Sequence, residues 1–260
     1  MDTQRLQQAI ALREADHVEE ALKEISALTD LTTDPEEKAS LLLNESRCYR
    51  LLGQFSKAWE QLSRAQGIAT TTECSLYLYE EDAILHWHRG DRDRALAILN
   101  RLHKEHLQLL LRPEHHELYA RVQSSRGMLL TELTRYREAK QLLEECLTFD
   151  PDLIDKVGVL RDLGVCFDQL KQAERAKGYF QEALQNGAQG SYAFDAHYYL
   201  GTIYYAERAY GKALMELKWC LDHIDQGQLP KKHICEWLAR TARTLGMKED
   251  AERYDKVAKG

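Results

Sequence analysis

The chain has no apolar run approaching the roughly 18 residues that a membrane-spanning helix needs, although 44% of its 260 residues are hydrophobic. The opening residues, Met1-Asp2-Thr3-Gln4-Arg5, place no basic segment before an apolar one. A secretory leader is therefore not expected. No Lys/Arg block is present, and 35 basic against 42 acidic residues leave a net charge of −7. An acidic chain without a basic stripe is poorly suited to a phosphate backbone, so we expect neither nucleic-acid nor membrane binding. No C-x-x-C pair occurs. The six cysteines, at 48, 74, 146, 166, 220 and 235, are scattered as small apolar residues would be. That pattern fits reduced thiols and a cytoplasmic location.

Motifs for catalysis or cofactor binding are missing as well. No G-x-S-x-G and no P-loop occur: Gly211-Lys212 lacks the upstream glycine at the required distance. Ten histidines raise a metal hypothesis, but none combines with cysteine or carboxylate at structural-zinc spacing. His116-Glu117 begins like a zinc-protease motif, yet Ala120 stands where the second histidine belongs. We expect no metal, no cofactor and no enzymatic activity.

Proline is scarce, with four residues, and each precedes a helical pattern. Asp34-Pro35-Glu36-Glu37 and Asp150-Pro151-Asp152 read as an N-cap, proline at the first helical position and acids in the first turn. Strand signals are nearly absent. The chain reads as all-α.

What is present is a repeat. Short segments such as Arg135-Tyr136-Arg137-Glu138-Ala139 and Gln172-Ala173-Glu174-Arg175-Ala176 recur, with their final alanines at 21, 58, 95, 139, 176, 213 and 251. The intervals are 37, 37, 44, 37, 37 and 38. The seven extra residues, about two helical turns, are expected in the second helix of the third repeat, around 103–112. Twelve residues before each alanine stands a small residue: Ala9, Ser46, Ala83, Gly127, Gly164 and Gly201, with Ala239 in the same role. A small side chain lets two antiparallel helices approach and larger neighbours interlock around it. That contact would offset the roughly 1 kcal/mol that glycine costs inside a helix.

These residues resemble the tetratricopeptide repeat family. The fifth repeat carries Leu160, Leu163-Gly164, Phe167, Ala176, Phe180 and Ala183; the sixth carries Leu200-Gly201, Tyr204, Ala213, Leu217 and Cys220. The period exceeds the family's usual one by three, and repeats one, three and seven match weakly. The resemblance implies a right-handed α-solenoid of about seven helix-turn-helix repeats forming one domain over 1–260. Repeat limits are expected near 1–34, 35–71, 72–112, 113–150, 151–188, 189–228 and 229–260, with a polar capping helix at the end.

The resemblance further implies that a stripe on the first helix of each repeat lines a concave groove where peptides bind. Read across the repeats, that stripe yields Arg47, Arg50, Tyr77, Trp87, His88, Arg121, Arg161, Tyr198, Tyr205, Arg240 and Arg243. Six of these are arginines and none is lysine, although the chain holds fifteen lysines. Interfaces favour Arg, Tyr and Trp and disfavour Lys. The expected function is a protein–protein interaction module. Its expected partner is a segment with acidic or C-terminal carboxylate groups plus an apolar anchor, held by bidentate arginine contacts. The alternative is a regulatory sensor whose groove takes a peptide or small effector and changes curvature or self-association. The positions that family members use to clamp a carboxylate tail match only at Asn44, so that subtype is set aside.

Overall fold

A computed structural model describes residues 3–150 and 152–259. These residues form fourteen α-helices and no strands. The helices pair into seven hairpins: α1 (Thr3–Glu14) with α2 (Val18–Leu31), α3 (Pro35–Leu51) with α4 (Phe55–Ile68), α5 (Thr72–His88) with α6 (Arg92–Leu110), α7 (His116–Glu132) with α8 (Tyr136–Phe149), α9 (Lys156–Gln169) with α10 (Ala173–Gln185), α11 (Gly190–Ala206) with α12 (Tyr210–Asp222), and α13 (Lys231–Thr244) with α14 (Lys248–Lys259). The odd-numbered helices are called A helices and the even-numbered ones B helices. The chain divides into two compact units, Met1–Val122 and Gln123–Gly260. Each is described by itself.

One turn geometry joins A to B in all seven hairpins. Asp16, Gly53, Gly90, Thr134, Lys171, Arg208 and Gly246 all have positive φ. The amide after each donates to the carbonyl five residues back, as in Gln54 to Tyr49 and Gln172 to Phe167. The positive-φ amide itself donates three residues back, as in Lys171 to Asp168. These paired bonds satisfy carbonyls that the end of an A helix would otherwise leave without partners. Four of the seven positions carry a side chain, at a cost of about 1–2 kcal/mol each in the left-handed region.

The spacing found in the sequence is the packing of these hairpins. Ala21, Ala58, Ala95, Ala139, Ala176 and Ala213 are fully buried, and Ala251 nearly so. The small residues twelve positions earlier are buried too. A Cβ on Gly164 would lie 2.6 Å from the Phe180 ring, and one on Gly201 would lie 2.8 Å from Leu217 Cγ. Both aromatic and leucine knobs come from the partner B helix, four residues after its alanine. Ser46 donates its hydroxyl to the Ala58 carbonyl at 2.9 Å, so a polar small residue is accommodated as well.

The insertion falls mostly where expected: α6 is five residues longer than the 14-residue α4 and α8, and the other two extra residues lie in the link to α7. α6 runs for 19 residues, with non-helical backbone at His106, and a short 3-10 turn at Pro113–His115 follows. Asp34 caps α3 by accepting from the Glu37 amide at 2.9 Å, with Pro35 at the first helical position. The second expected cap is corrected. α9 starts at Lys156, and Asp155 caps it by accepting from the Gly158 amide at 2.9 Å. The residues from 152 to 155 form a turn instead of the first helical turn. Pro151, which the expected cap also used, lies outside the described residues. All six cysteines are unpaired, and five are buried. No helix among the described residues is long and apolar enough to cross a membrane.

Candidate partner-binding faces on the A helices

Within each unit, neighbouring A helices bring their stripe positions together across one repeat length. In the N-terminal unit the result is a lattice of ion pairs. Arg47 Nη2 lies 3.1 Å from Glu80 Oε2, and its Nε lies 3.7 Å from Glu81 Oε2. Arg50 Nε donates to Glu81 Oε1 at 2.8 Å. Arg121 holds Glu80 with a two-pronged contact at 2.6 and 2.7 Å and reaches Glu117 at 2.6 Å. Glu80 and Glu81 are almost completely buried, at 3% and 0% side-chain exposure.

Electrostatics follow from that burial. Burial pushes the Glu81 carboxyl upward, and Arg50 and Arg47 pull against it. Burial alone would lower the Arg121 guanidinium, but hydrogen bonds and charge from Glu80 raise it. Removing a partner from a desolvated pair of this kind is costly, because it strands the remaining charge. These three arginines are therefore already engaged by protein carboxylates, with 16% to 33% of their side chains exposed. Tyr77 lies beside them, with its hydroxyl 3.3 Å from His115 Nδ1. Trp87 is half-buried. His88 is turned toward the start of α4, its ring 5.7 Å from that of Phe55.

A cavity of about 520 Å³ opens over this lattice, lined by Arg47, Tyr77 and Arg121 and also by Arg13 and Asn44. Arg13 donates to Asn44 Oδ1 at 2.7 Å. Burial, then repulsion from Arg47, lowers its guanidinium. Arg13 is absent from the stripe residues given above, all of which come from the second repeat onward. It stands four residues after Ala9, as Arg50 does after Ser46.

The C-terminal unit has a different face. One of its arginines is again paired: Arg161 Nη1 lies 3.0 Å from Asp162 Oδ1 and 3.5 Å from Asp195 Oδ2. Asp162 is nearly inaccessible, and burial pushes its carboxyl up to about 7 although Arg161 opposes that. The Arg161 guanidinium also lies 4.9 Å from the Tyr192 ring. Beyond this pair the surface is aromatic. Tyr198 shares a 2.9 Å hydrogen bond with His233 Nε2. Tyr205 meets Trp237 edge to face, with ring centroids 5.4 Å apart. Arg240 lies over Trp237, 4.9 Å from its centroid. Arg243 pairs with Asp255 of α14 at 2.6 Å, so it contacts the B helix of its own hairpin.

Among the described residues Arg240 makes no ion pair. It is exposed, and Tyr198, Tyr205 and Trp237 are half-buried. Trp237, two residues before Ala239, is not among the stripe residues given above. Its aromatic identity was the available signal. No group of three or more His, Cys, Asp or Glu among the described residues could hold a metal ion.

Comparison with known proteins gives a tetratricopeptide repeat match over residues 120–153. No curated protein matches the chain. Several solved structures share its fold. PilF of Pseudomonas aeruginosa superposes with a TM-score of 0.63 at 22% identity, covering 85% of this chain and 90% of that one. A tetratricopeptide repeat protein from Parabacteroides merdae gives 0.57 at 16% identity, covering 99% and 91%. A signal-transduction ATPase with a tetratricopeptide repeat sensor, from Pyrococcus horikoshii, gives 0.70 at 18% identity. That match covers 98% of this chain and 41% of the ATPase. At these identities the likeness is one of fold.

Proposed function

Starting from a chain with the tetratricopeptide-repeat fold and a matched repeat at 120–153, we propose that it is a non-catalytic module that binds a segment of another protein. The fold generally mediates protein–protein interaction. The segment docks on the A-helix face of the C-terminal unit. Tyr205 and Trp237 seat an apolar side chain, and Arg240 contacts a carboxylate from an acidic residue or a chain terminus.

The observation that carries this reading is the state of the stripe arginines. Arg47, Arg50, Arg121, Arg161 and Arg243 already face protein carboxylates. Arg240 does not, and it stands on an indole beside a tyrosine. Tyr, Trp and Arg are the residues that carry most energy at interfaces. A guanidinium stacked on an aromatic face still offers its fork edge to a carboxylate. A partner therefore gains a contact at Arg240 without breaking a buried pair, whereas contact with Arg121 competes with Glu80.

The test is selection from a displayed random-peptide library against the wild-type chain and the Arg240→Glu variant. Wild type should enrich sequences with an acidic residue next to an aliphatic or aromatic one. The variant should lose that acidic preference and shift toward Lys or Arg. Identical enrichment by both proteins contradicts the assignment.

A further inference from the structure

At one edge of the C-terminal unit, where α12 and α14 finish and α13 begins, there is a second cavity of about 460 Å³. It is separate from the A-helix face described above. Leu221, Tyr254 and Val257 give it an apolar wall, and Lys218, Lys231 and Arg253 supply three cations against one lining carboxylate, Asp222. Tyr254 is 4% exposed and Val257 is 42% exposed, so the wall runs from a buried floor to an open mouth.

The cations differ in how they are compensated. Arg253 pairs with Asp250 at 2.8 Å. Lys218 lies on α12 one helical turn before the lining carboxylate Asp222. Lys231 has no such compensation. It is the first residue of α13, at the positive end of that helix, with no acidic residue in the first turn. Neither lysine makes an ion pair among the described residues. In a chain of net charge −7, this is a locally cationic cavity with an apolar wall.

We propose that this cavity binds a small amphiphilic carboxylate. The carboxylate lies between Lys218 and Lys231, and the apolar body lies against Leu221, Tyr254 and Val257. The charge pattern disfavours a cationic ligand, because Lys218 and Lys231 are without ion pairs among the described residues and outnumber the lining Asp222. A purely polar anion would leave the apolar wall wet. The volume lies within the range of small-molecule sites.

The test is isothermal titration calorimetry of the full chain with octanoate at neutral pH, using octanamide as the uncharged control. Octanoate should bind saturably and octanamide far more weakly. The Lys218→Gln/Lys231→Gln variant should bind octanoate roughly five-fold or more weakly, as expected for two partly exposed ion pairs. Val257→Asp should remove binding, with the circular dichroism spectrum unchanged in both variants. Absence of saturable octanoate binding overturns the proposal. So does equal binding of octanamide, or full affinity in the double lysine variant. Self-association of the wild type that Val257→Asp abolishes also overturns it, since the cavity would then be a protein interface.

Discussion

The two units build the same hairpin and use its A-helix face differently. In the N-terminal unit Arg47, Arg50 and Arg121 close over the buried Glu80 and Glu81. In the C-terminal unit Tyr198, Tyr205 and Trp237 occupy the corresponding surface, and Arg240 stands on it without a carboxylate. Their helix contacts differ too. The N-terminal unit places Ala9, Ser46 and Ala83 at the close approach, whereas the C-terminal unit places Gly127, Gly164 and Gly201 there, against Leu143, Phe180 and Leu217, and Ala239 in its last hairpin. Arg47 and Arg240 stand at equivalent stripe positions, one residue after Ser46 and Ala239, yet the first is paired with a buried carboxylate and the second with none among the described residues. Composition alone does not separate the two roles; the partner of each guanidinium does.

The strongest way to break this contrast is to remove a carboxylate from the N-terminal lattice. Glu80→Ala removes the buried carboxylate that Arg121 and Arg47 share, leaving them Glu117 and Glu81, and should cost about 3 kcal/mol, the low end for breaking a buried pair. Urea denaturation of the full chain measures it. A loss below 1 kcal/mol would mean that the lattice is solvated and its arginines are free to serve a partner.

The next effect lies in the C-terminal unit. Gly164→Val drives side-chain atoms into the Phe180 ring and should cost about 2 kcal/mol by overpacking. Gly178→Ala, on α10 with open space around it, should stabilise the protein by up to about 1 kcal/mol through helix propensity. Thermal melts of the two variants should move in opposite directions.

Asp162 gives the contrast a pH dependence. Its carboxyl stands at about 7 in the fold, against an ordinary value of 3.8. Between roughly pH 4 and 7 the native state holds a proton that the unfolded state has released, so this group's contribution to stability falls as pH rises. Asp162→Asn, which stays neutral, should therefore melt a few degrees higher than wild type at pH 8 and close to it at pH 4. A difference that does not grow with pH would show that Arg161 already stabilises the ionised form.

The smallest expected change is at a turn. Thr134 is β-branched and sits at a φ of 59°. Thr134→Gly should stabilise the chain by about 1 kcal/mol, because left-handed backbone is strained for such a residue. A destabilised variant would place the unfolded-state entropy of glycine above that strain.

The all-α hairpin pattern was legible because its causes are local and repeated. Each buried alanine and its small partner twelve residues earlier belong to one hairpin, and the spacing recurs. The insertion in α6 could be placed for the same reason: it changed one interval and no other. The left-handed turns at Thr134, Lys171 and Arg208 were not legible, since no glycine marks them and the fold imposes the conformation. The start of α9 was misjudged because Asp150 and Asp155 are both plausible caps, and only the hydrogen bond from the Gly158 amide decides between them. The candidate site was legible only as a set of positions. Whether Arg47 meets Glu80 depends on the register of α3 against α5, thirty-three residues apart in sequence. Counting charges along a stripe says nothing about that register.

We place partner recognition on the aromatic face carrying Arg240 and not on the paired arginines of the N-terminal unit. The most direct test is the dissociation constant of one library-selected acidic peptide for three folded proteins: wild type, Tyr205→Ala/Arg240→Ala, and Arg121→Lys. The account predicts a loss of ten-fold or more in the double variant, consistent with removing two interface anchors, and an unchanged constant in Arg121→Lys. Unchanged binding in the double variant together with a loss in Arg121→Lys would contradict it.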